Sequence, residues 1–524
     1  MSDVNLPALA EADKSHVQKT PVAMQEINEA YKACKFGLFH VKLLVITFVG
    51  FVAGVAVSNT TAYLLPSAEC DLKMSLVQKG LLNAMPYLGM LFSTVIAGFL
   101  TDTFGRKIFV VFGYGGMFLF LFIAGSSQTF EVLITAKFFE GILFATSFSA
   151  VVTLTSEFCY HEIRDRVILC QSSFAGSAQI VIPGMSWAIL MQDWKLTIFE
   201  GRFELNTWNF YLYLMSLWSL SACLLYTLFI PESPKYLITQ KKYDEARDIL
   251  VHMYRTNTGK PAETYPYINL WKDKAKRLPE VDEEQPKNIR HQIVVGLHNI
   301  KPMFRKPLVI YLLLISLNNF LIMALYNILR LWFPQLSTIV EHYNLSSDKD
   351  LCVMLDLYTN DLKAASHNAS SSDVCIPNLS GAETYINSII IGCVCLLPYF
   401  ISGVLINKVG KKNMLITAGL ICIIMTLGLR WANSKTVMVS LFATNVAVAQ
   451  VMMSLNQALI MEYFPTTIRT LAISTIMMTG RIGTLIGNIA FPVLLDKGCV
   501  IPFYTMTGMM ICVTTIALFL PKKK

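Results

Sequence analysis

Charged residues are scarce in this chain. Only 15% of its 524 residues are Asp, Glu, Lys or Arg, whereas 54% are hydrophobic. A large soluble protein usually carries about a quarter charged residues, so this composition argues against one. Apolar stretches of about 20 residues recur instead, and each is long enough to cross a bilayer of about 30 Å as a helix. We therefore predict an all-α polytopic membrane protein.

Several chemical signatures are also missing. The chain has no G-x-x-x-x-G-K-[ST] stretch to hold nucleotide phosphates, which argues against an ATP-driven pump. It has no nucleophile–base constellation, so we expect no enzymatic activity, and no cysteine–histidine spacing typical of a metal site. Its basic residues are spread along connectors rather than gathered in a patch with aromatics, which argues against nucleic-acid binding. We expect no cofactor.

Twelve apolar stretches divide the chain. They lie near 43–65, 80–101, 107–125, 130–155, 166–191, 209–230, 307–332, 383–407, 412–431, 437–461, 470–491 and 499–520. We predict a cytoplasmic tail over 1–42, a six-helix half over 43–230, a cytoplasmic loop over 231–306, a second six-helix half over 307–520 and a basic tail over 521–524. The first forty residues lack the apolar core of a cleavable signal peptide, so we expect the first span to direct membrane insertion.

Lys and Arg mark one side of the predicted membrane protein. They follow the even-numbered spans and end the chain: Arg106, Lys107, Arg164, Arg166, Lys408, Lys411, Lys412, Arg469 and 522–524. Because cytoplasmic loops are enriched in Lys and Arg, we predict that this side and both termini are cytoplasmic.

The segment 333–382 falls on the opposite side. It has two bases, Lys349 and Lys363, and three N-glycosylation sequons, at Asn344, Asn368 and Asn378. A sequon indicates a surface loop in the secretory pathway, which is where the charge rule independently places this segment. We predict a glycosylated luminal or extracellular loop.

Four of the twelve cysteines fall on that oxidising side. They are Cys70, Cys352, Cys375 and Cys499. Cys352 and Cys375 share the loop with the sequons, so a disulfide between them is our first prediction. A bond from Cys70 to either of them is the alternative. We interpret the other eight cysteines as free thiols, because buried cysteine usually behaves as a small apolar side chain.

The sequence repeats itself at an offset of 305 residues. GFLTDTFGRK at 98–107 falls on GVLINKVGKK at 403–412, and EFCYHEIR at 157–164 falls on EYFPTTIR at 462–469. Two connectors that share one offset indicate duplicated six-helix halves. Two such halves around a central path form a transporter architecture, in which the halves rock against each other to open the path alternately to either side.

The first connector predicts a conformational latch. Gly98 lets helices approach closely, and Gly105 permits a tight turn. Asp102 can pair with a base or a helix N-terminus of the facing half in one conformation and release it in the other. The latch residues that we predict are Gly98, Asp102, Gly105, Arg106, Lys107, Glu157, Arg164, Glu462 and Arg469.

These connectors resemble those of the major facilitator superfamily, whose signature between spans two and three is G-x-L-x-D-x-x-G-R-K. PESPKYL at 231–237 resembles an element shared by sugar porters and organic ion transporters. PSAECDL at 66–72, KGLLNA at 79–84 and NTGK at 257–260 resemble the synaptic-vesicle glycoprotein two group, as does the large loop after span seven. The resemblance implies a twelve-helix secondary transporter. Asn407 departs from it, because it replaces the acid of the second connector.

Ionisable residues inside spans are costly, so each is a functional candidate. Lys137 and Glu140 lie three residues apart on one helical face and form either a substrate or proton site or a self-neutralising structural pair. Glu140 is the main candidate for proton coupling, because span one has no acid beyond its ends. Arg481 is a candidate for attracting anionic groups. Arg330 and Arg430 lie near the outer ends of their spans, so we expect them to snorkel to the interface.

Amides and aromatics inside the spans are the other candidates for a substrate path. They include Gln171, Gln179, Asn319, Tyr326 and Asn456. Such a lining suits an uncharged or weakly charged organic solute, and interhelical hydrogen bonding is the alternative role for these side chains.

The sequence as a whole favours one function. We expect a monomeric secondary transporter that moves a small organic solute across a vesicle or plasma membrane by alternating access. The alternatives are a plasma-membrane sugar or organic-ion carrier, and a non-transporting membrane glycoprotein that binds partners.

Overall fold

A computed structural model gives the structure of the protein. It describes residues 22–198, 203–270, 306, 308–343, 350–367, 379–464 and 466–520. Side chains are described throughout these ranges except at 22–26, 95–104, 165, 364–367, 397–408 and 466–471. The predicted glycosylation sites Asn344, Asn368 and Asn378 lie outside the described residues, as does Cys375.

The first half of the chain forms a short helix and six long ones. They are α1 (Val22–Cys34), α2 (Leu38–Ala68), α3 (Leu76–Phe104), α4 (Arg106–Gly125), α5 (Phe130–Glu157), α6 (His161–Leu190) and α7 (Thr207–Phe229). An antiparallel hairpin, β1 (Leu196–Ile198) and β2 (Phe203–Leu205), lies between α6 and α7, with Thr197 opposite Glu204. Two shorter helices follow, α8 (Pro234–Thr239) and α9 (Tyr243–Thr258).

The second half forms six long helices and one extra helix between the first two of them. They are α10 (Leu308–Tyr343), α11 (Leu351–His367), α12 (Ala382–Val409), α13 (Lys411–Gly428), α14 (Lys435–Tyr463), α15 (Thr466–Asp496) and α16 (Val500–Phe519). Among the described residues, ten helices are long and apolar enough to cross a membrane. The other two long helices, α3 and α12, coincide with the predicted spans 80–101 and 383–407. The twelve long helices therefore match the twelve predicted spans in order and confirm the all-α membrane fold.

Two glycines show the internal repeat in the backbone. Gly105 separates α3 from α4 with a φ of 99°, and Gly410 separates α12 from α13 with a φ of 85°. This region of φ favours glycine, because a Cβ would clash with the backbone there. The two positions differ by the offset of 305 residues found in the sequence.

The ion pairs of the two connectors repeat as well. Arg106 Nη2 lies 3.2 Å from Glu157 Oε1, and Lys411 Nζ lies 3.0 Å from Glu462 Oε2. Each pair joins the start of the third long helix of its half to the end of the fourth. Most buried apolar residues of each half pack within that half, and Leu331 and Tyr385 of the second half pack into the first. The two halves are therefore duplicated units both in sequence and in contacts.

One side of the molecule carries α1, α8, α9 and the basic connectors, and we call it the basic face. Asn257 of the NTGK stretch joins these elements to the bundle. Its Nδ2 donates to the backbone carbonyls of Lys35 (2.8 Å) and Cys34 (3.1 Å), and its Oδ1 accepts from the backbone N–H of Phe39 (2.9 Å). The side chain of Cys34, whose carbonyl accepts one of these bonds, is buried, and this burial raises the pKa of its thiol to about 12. The motif thus fixes the entry of the chain into α2.

The opposite side carries α11, and we call it the cap face. Cys352 of α11 forms a disulfide with Cys499 at the start of α16, so the predicted Cys352–Cys375 bond is wrong. Asp356 of α11 accepts the backbone N–H of Cys499 at 2.8 Å. Cys70 is also disulfide-bonded. The disulfide and the hydrogen bond hold α11 against the second half of the protein.

Candidate functional site in the central cavity

A narrow cavity, with about 30 Å³ of space that water molecules can occupy, lies between the two halves. Helices α2 and α6 of the first half and α10, α12 and α14 of the second supply its walls. The lining residues are Tyr63, Gln179, Tyr326, Arg330, Phe333, Ser388, Ile391, Gly392, Cys395 and Val446. Small-molecule sites typically enclose about 300–1,000 Å³ behind mostly apolar walls with a few polar groups. The cavity therefore has the composition of a ligand site, but in this conformation its walls lie too close together to hold an organic solute.

Arg330 supplies the positive charge in this lining. Its Nη2 donates to the hydroxyl of Tyr87 at 2.9 Å and to the hydroxyl of Ser58 at 3.3 Å, both in the first half. The same nitrogen donates to Asn327 Oδ1 at 3.1 Å. The guanidinium carbon lies 5.2 Å from the centre of the Tyr326 ring, within range of a cation–π interaction. Arg330 thus joins the two halves at the edge of the cavity.

The prediction that Arg330 snorkels to the interface is wrong. The sequence placed the end of its span at residue 332, whereas α10 is 36 residues long and continues to Tyr343. At 1.5 Å per residue, about 20 Å of helix lies beyond Arg330. The side chain therefore turns into the bundle instead of reaching the membrane surface.

A hydrogen-bonded chain extends from Arg330 across the interface between the halves. The Tyr87 hydroxyl of α3 donates to Asn327 Oδ1 at 2.9 Å, and Asn327 Nδ2 donates to Thr484 Oγ1 of α15 at 3.0 Å. The sequence analysis missed Tyr87, for which the sequence gives no local signal. Asn327 was one of the polar amides of span seven, and its spacing with Tyr326 and Arg330 puts an aromatic ring, an amide and a charge within five residues of one helix.

Arg481 makes a second contact between the halves. Its Nη1 donates to the backbone carbonyl of Met90 in α3 at 3.0 Å. Among the described residues, this carbonyl is its hydrogen-bond partner, and no carboxylate lies within ion-pair distance of it. Arg481 is not part of the cavity lining, although it lies on the same interface as Arg330.

Lys137 and Glu140 form a buried ion pair away from the cavity lining. Their Nζ and Oε2 atoms lie 2.8 Å apart, and Lys137 also donates to the hydroxyl of Thr60 at 3.0 Å. Both side chains are almost completely buried. The pair neutralises itself within the first half, which is the geometry of the structural alternative stated for these residues.

The predicted amide and aromatic candidates separate into two groups. Gln179 and Tyr326 line the cavity, and Gln179 Oε1 accepts from Asn59 Nδ2 at 3.0 Å. Asn319 and Asn456 instead bond to each other between α10 and α14 at 3.3 Å, and Asn319 also donates to a backbone carbonyl of α15. Gln171 is buried, and neither of its amide atoms has a hydrogen-bond partner among the described residues.

A cluster around Tyr358 closes the cap face. Lys79 and Glu69, both of the first half, form a buried ion pair at 2.7 Å. The Tyr358 hydroxyl of α11 accepts from Lys79 Nζ at 3.1 Å and donates to Glu69 Oε1 at 3.4 Å. Gln335 Nε2 of α10 donates to the same hydroxyl at 3.4 Å. Because α11 is bonded to the second half, this cluster connects the halves above the cavity.

The basic-face connectors are bonded within their own halves. Beyond the Arg106–Glu157 pair, both carboxylate oxygens of Glu232 accept the backbone N–H of Lys107 at 3.2 Å. Lys107 Nζ donates to a backbone carbonyl of α7, and Arg164 is exposed. The positions of Gly98, Asp102 and Arg469 lie where side chains are not described.

A comparison with protein families identifies the family of this chain. The model of the Major Facilitator Superfamily matches residues 46–359 and 371–524. The chain belongs to this superfamily. Synaptic vesicle glycoprotein 2B of Rattus norvegicus is 25% identical over 241 residues, which are 45% of this chain and 35% of the relative. Synaptic vesicle glycoprotein 2A of Homo sapiens is 24% identical over 254 residues, which are 47% of this chain and 34% of the relative. The match spans about a third of the length of these curated relatives.

Solved structures share the fold. The inward-open xylose transporter XylE from E. coli superposes with a TM-score of 0.62 at 14% identity, over 93% of this chain and 97% of that one. A mutant of the nucleoside transporter NupG gives a TM-score of 0.58 at 11% identity, over 92% and 99% of the two chains. The resemblance to the superfamily and to the synaptic-vesicle glycoprotein two group, stated from the sequence, is confirmed.

Proposed function

We propose that this integral membrane protein is a secondary transporter that moves a small organic solute by alternating access. The supporting observation is the cavity between two duplicated six-helix halves, with its polar groups supplied from both. Secondary transporters place their substrate sites at such an interface, near the middle of the membrane. A scaffold that only binds partners has no need of a cavity with polar groups from both halves.

The contacts between the halves indicate which bonds break when the cap face opens. Opening the cap face separates Tyr358 from Lys79, and Arg330 from Tyr87. The disulfide to Cys499 carries α11 along with the second half. The cavity then opens to the cap face while the ion pairs within each half persist.

We propose that the basic face is cytoplasmic and that the cap face is luminal or extracellular. The distribution of Lys and Arg supports this orientation, as does the pair of disulfide-bonded cysteines on the cap face, Cys352 and Cys499. A vesicle or plasma membrane, with a monomeric protein and both termini in the cytoplasm, is consistent with it. Glycosylation at the three sequons of the loop 333–382 is part of the same proposal.

The conformational latch stays a proposal, with Asp102 as its variable contact. The described ion pairs of Arg106 and of Lys411 lie within their own halves, so these pairs hold the connectors in shape. Asp102→Asn is expected to leave glycosylation unchanged and to slow the change between the two open states. The change is measured by labelling the cavity thiol Cys395 with an impermeant reagent applied to one face of the membrane at a time. If the variant is labelled from each face as the wild type is, the latch is contradicted.

We also propose that Glu140 carries the proton if uptake is coupled to a pH gradient. Its carboxylate is already paired with Lys137. Glu140→Gln is expected to abolish stimulation of uptake by a pH gradient if Glu140 carries the proton. Unchanged stimulation assigns the pair a structural role only.

Uptake into liposomes tests the function. We would reconstitute the purified full chain and expose it to a mixture of sugars, amines, carboxylates and nucleosides, with and without a pH gradient, and identify the accumulated solutes by mass spectrometry. Saturable uptake of at least one solute above protein-free liposomes supports the proposal. No uptake by folded protein in either orientation refutes it and favours the glycoprotein that binds partners.

A further inference from the structure

The guanidinium of Arg330 has unused hydrogen-bonding capacity at the cavity. Nη2 donates to Ser58, Tyr87 and Asn327. Nε is buried and has no hydrogen-bond partner among the described residues. A guanidinium carries five N–H donors in a planar arrangement, so the described residues leave at least one of these donors unused.

The positive charge of Arg330 is also uncompensated. Its described partners are two hydroxyls, one amide oxygen and the face of the Tyr326 ring, and none of them carries a negative charge. The two buried lysines of the bundle differ, whereas Arg481 also lacks a carboxylate among its described partners but does not line the cavity. Lys79 lies 2.7 Å from Glu69, and Lys137 lies 2.8 Å from Glu140. Since burying an unpaired charge is costly, an uncompensated guanidinium beside a cavity points to a ligand with the opposite charge.

The remaining walls define the body of that ligand. Phe333, Ile391 and Val446 are apolar, and Tyr63 adds an aromatic ring whose hydroxyl is a further donor. The polar groups besides Arg330 are neutral, namely the Gln179 amide and the Ser388 hydroxyl. A molecule with one anionic end and a mostly apolar remainder satisfies both parts of the cavity.

We propose that the cavity, widened by the opening of the cap face, binds small organic monocarboxylates, with the carboxylate on Arg330 and the hydrocarbon or aryl portion against the apolar wall. The proposal rests on the proposed transport function and specifies its substrate class. It differs from the expectation of an uncharged or weakly charged solute, which was based on the amides and aromatics of the spans. A carboxylate fits the planar donors of a guanidinium, and charge-assisted hydrogen bonds of this kind are about twice as strong as neutral ones.

Matched pairs of acids and amides provide the test. We would measure binding of aliphatic and aryl monocarboxylates, such as hexanoate and 4-phenylbutyrate, to the detergent-purified full chain at pH 7. Each acid is compared with its own amide, which has nearly the same shape and no charge. We expect at least one acid to bind saturably, and its amide to bind more weakly by tenfold or more.

Three variants locate the site. Removing one partner of a buried charged hydrogen bond typically weakens binding by about 100-fold, which is the expected loss for Arg330→Gln. Arg330→Lys keeps the charge but not the planar donors and is expected to fall between Arg330→Gln and wild type. Arg430→Gln is the matched control, because it removes an arginine outside the cavity that stacks on Trp431 at 5.9 Å. It is expected to bind like wild type.

The outcomes are distinct. Equal binding of acid and amide, no acid binding to wild type, or undiminished acid binding by Arg330→Gln overturns the carboxylate site. If Arg330→Gln does not fold, the comparison of acid with amide in wild type and in Arg330→Lys decides. If the protein takes up a neutral solute, and Arg330→Gln takes it up as well as wild type does, this site is refuted and the transport function stands. Specific acid binding without uptake refutes the transport function and leaves the site standing.

Discussion

The hydroxyl of Tyr358 is expected to control how often the cap face opens. Tyr358→Phe removes the bonds to Lys79 (3.1 Å) and Glu69 (3.4 Å) but keeps the ring and leaves the Lys79–Glu69 ion pair intact. Hydrogen bonds to charged groups contribute about 1.5–3 kcal/mol each. Because the second bond is long and water replaces part of both in the open state, we assign about 2 kcal/mol to the loss. The ratio of open to closed protein should then rise about 30-fold.

The native thiol of Cys395 reports this change, since it lines the cavity and is free. A membrane-impermeant thiol reagent is applied to the cap face of sealed vesicles, and modification of Cys395 is followed by peptide mass spectrometry. While the open state stays rare, the labelling rate follows its population and should rise about 30-fold in Tyr358→Phe.

Tyr343→Phe is the control for this measurement. Its hydroxyl donates to Asp361 of α11 at 2.8 Å, so it is a similar bond in the same region but within the second half. The control should label at the wild-type rate. Unchanged labelling of Tyr358→Phe, or an equal increase in both variants, refutes the assignment of Tyr358 as the contact that closes the cap face.

Two further predictions concern the connectors and the buried thiols. Gly105→Ala should lower the apparent Tm in detergent more than Gly410→Ala does. Both substitutions strain a positive φ, but only at Gly105 does the new Cβ lie 2.7 Å from a carboxylate oxygen of Glu232. Equal decreases in Tm contradict this prediction. Cys34, whose pKa is raised to about 12 by burial, should resist maleimide at pH 8 in the folded protein and react after denaturation in SDS.

Local signals in the sequence predicted most of the architecture. Hydropathy found the twelve spans because each is a continuous apolar stretch, and the glycine and basic residues of each connector revealed the repeat because they stand at one fixed offset. Gly105 and Gly410 have nearly the same backbone conformation, as that repeat requires. These features depend on neighbours in the chain, which a single sequence contains.

Features that depend on distant parts of the chain were predicted less well. The disulfide was assigned within one loop, whereas α11 brings Cys352 to Cys499, 147 residues away. Arg330 was assigned to the membrane surface because its span was ended too early. Glu69 and Lys79 stand within the stretches quoted for the family resemblance, but nothing in their spacing indicates that a tyrosine from the other half lies between them.

The placement of charged side chains at the interface suits two halves that must separate and come together again. Among the ion pairs between described residues, both members lie on the same side of the interface between the halves, as Lys79–Glu69 and Lys411–Glu462 do. The hydrogen bonds that we describe across the interface instead have at least one neutral partner, as in Arg330 with the Tyr87 hydroxyl and Arg481 with a backbone carbonyl. Breaking a buried ion pair costs about 3–5 kcal/mol, whereas a charged-to-neutral hydrogen bond contributes about 1.5–3 kcal/mol. An interface built from the second kind can separate without stranding a carboxylate, and it leaves Arg330 able to exchange a protein hydroxyl for the anionic group of a ligand.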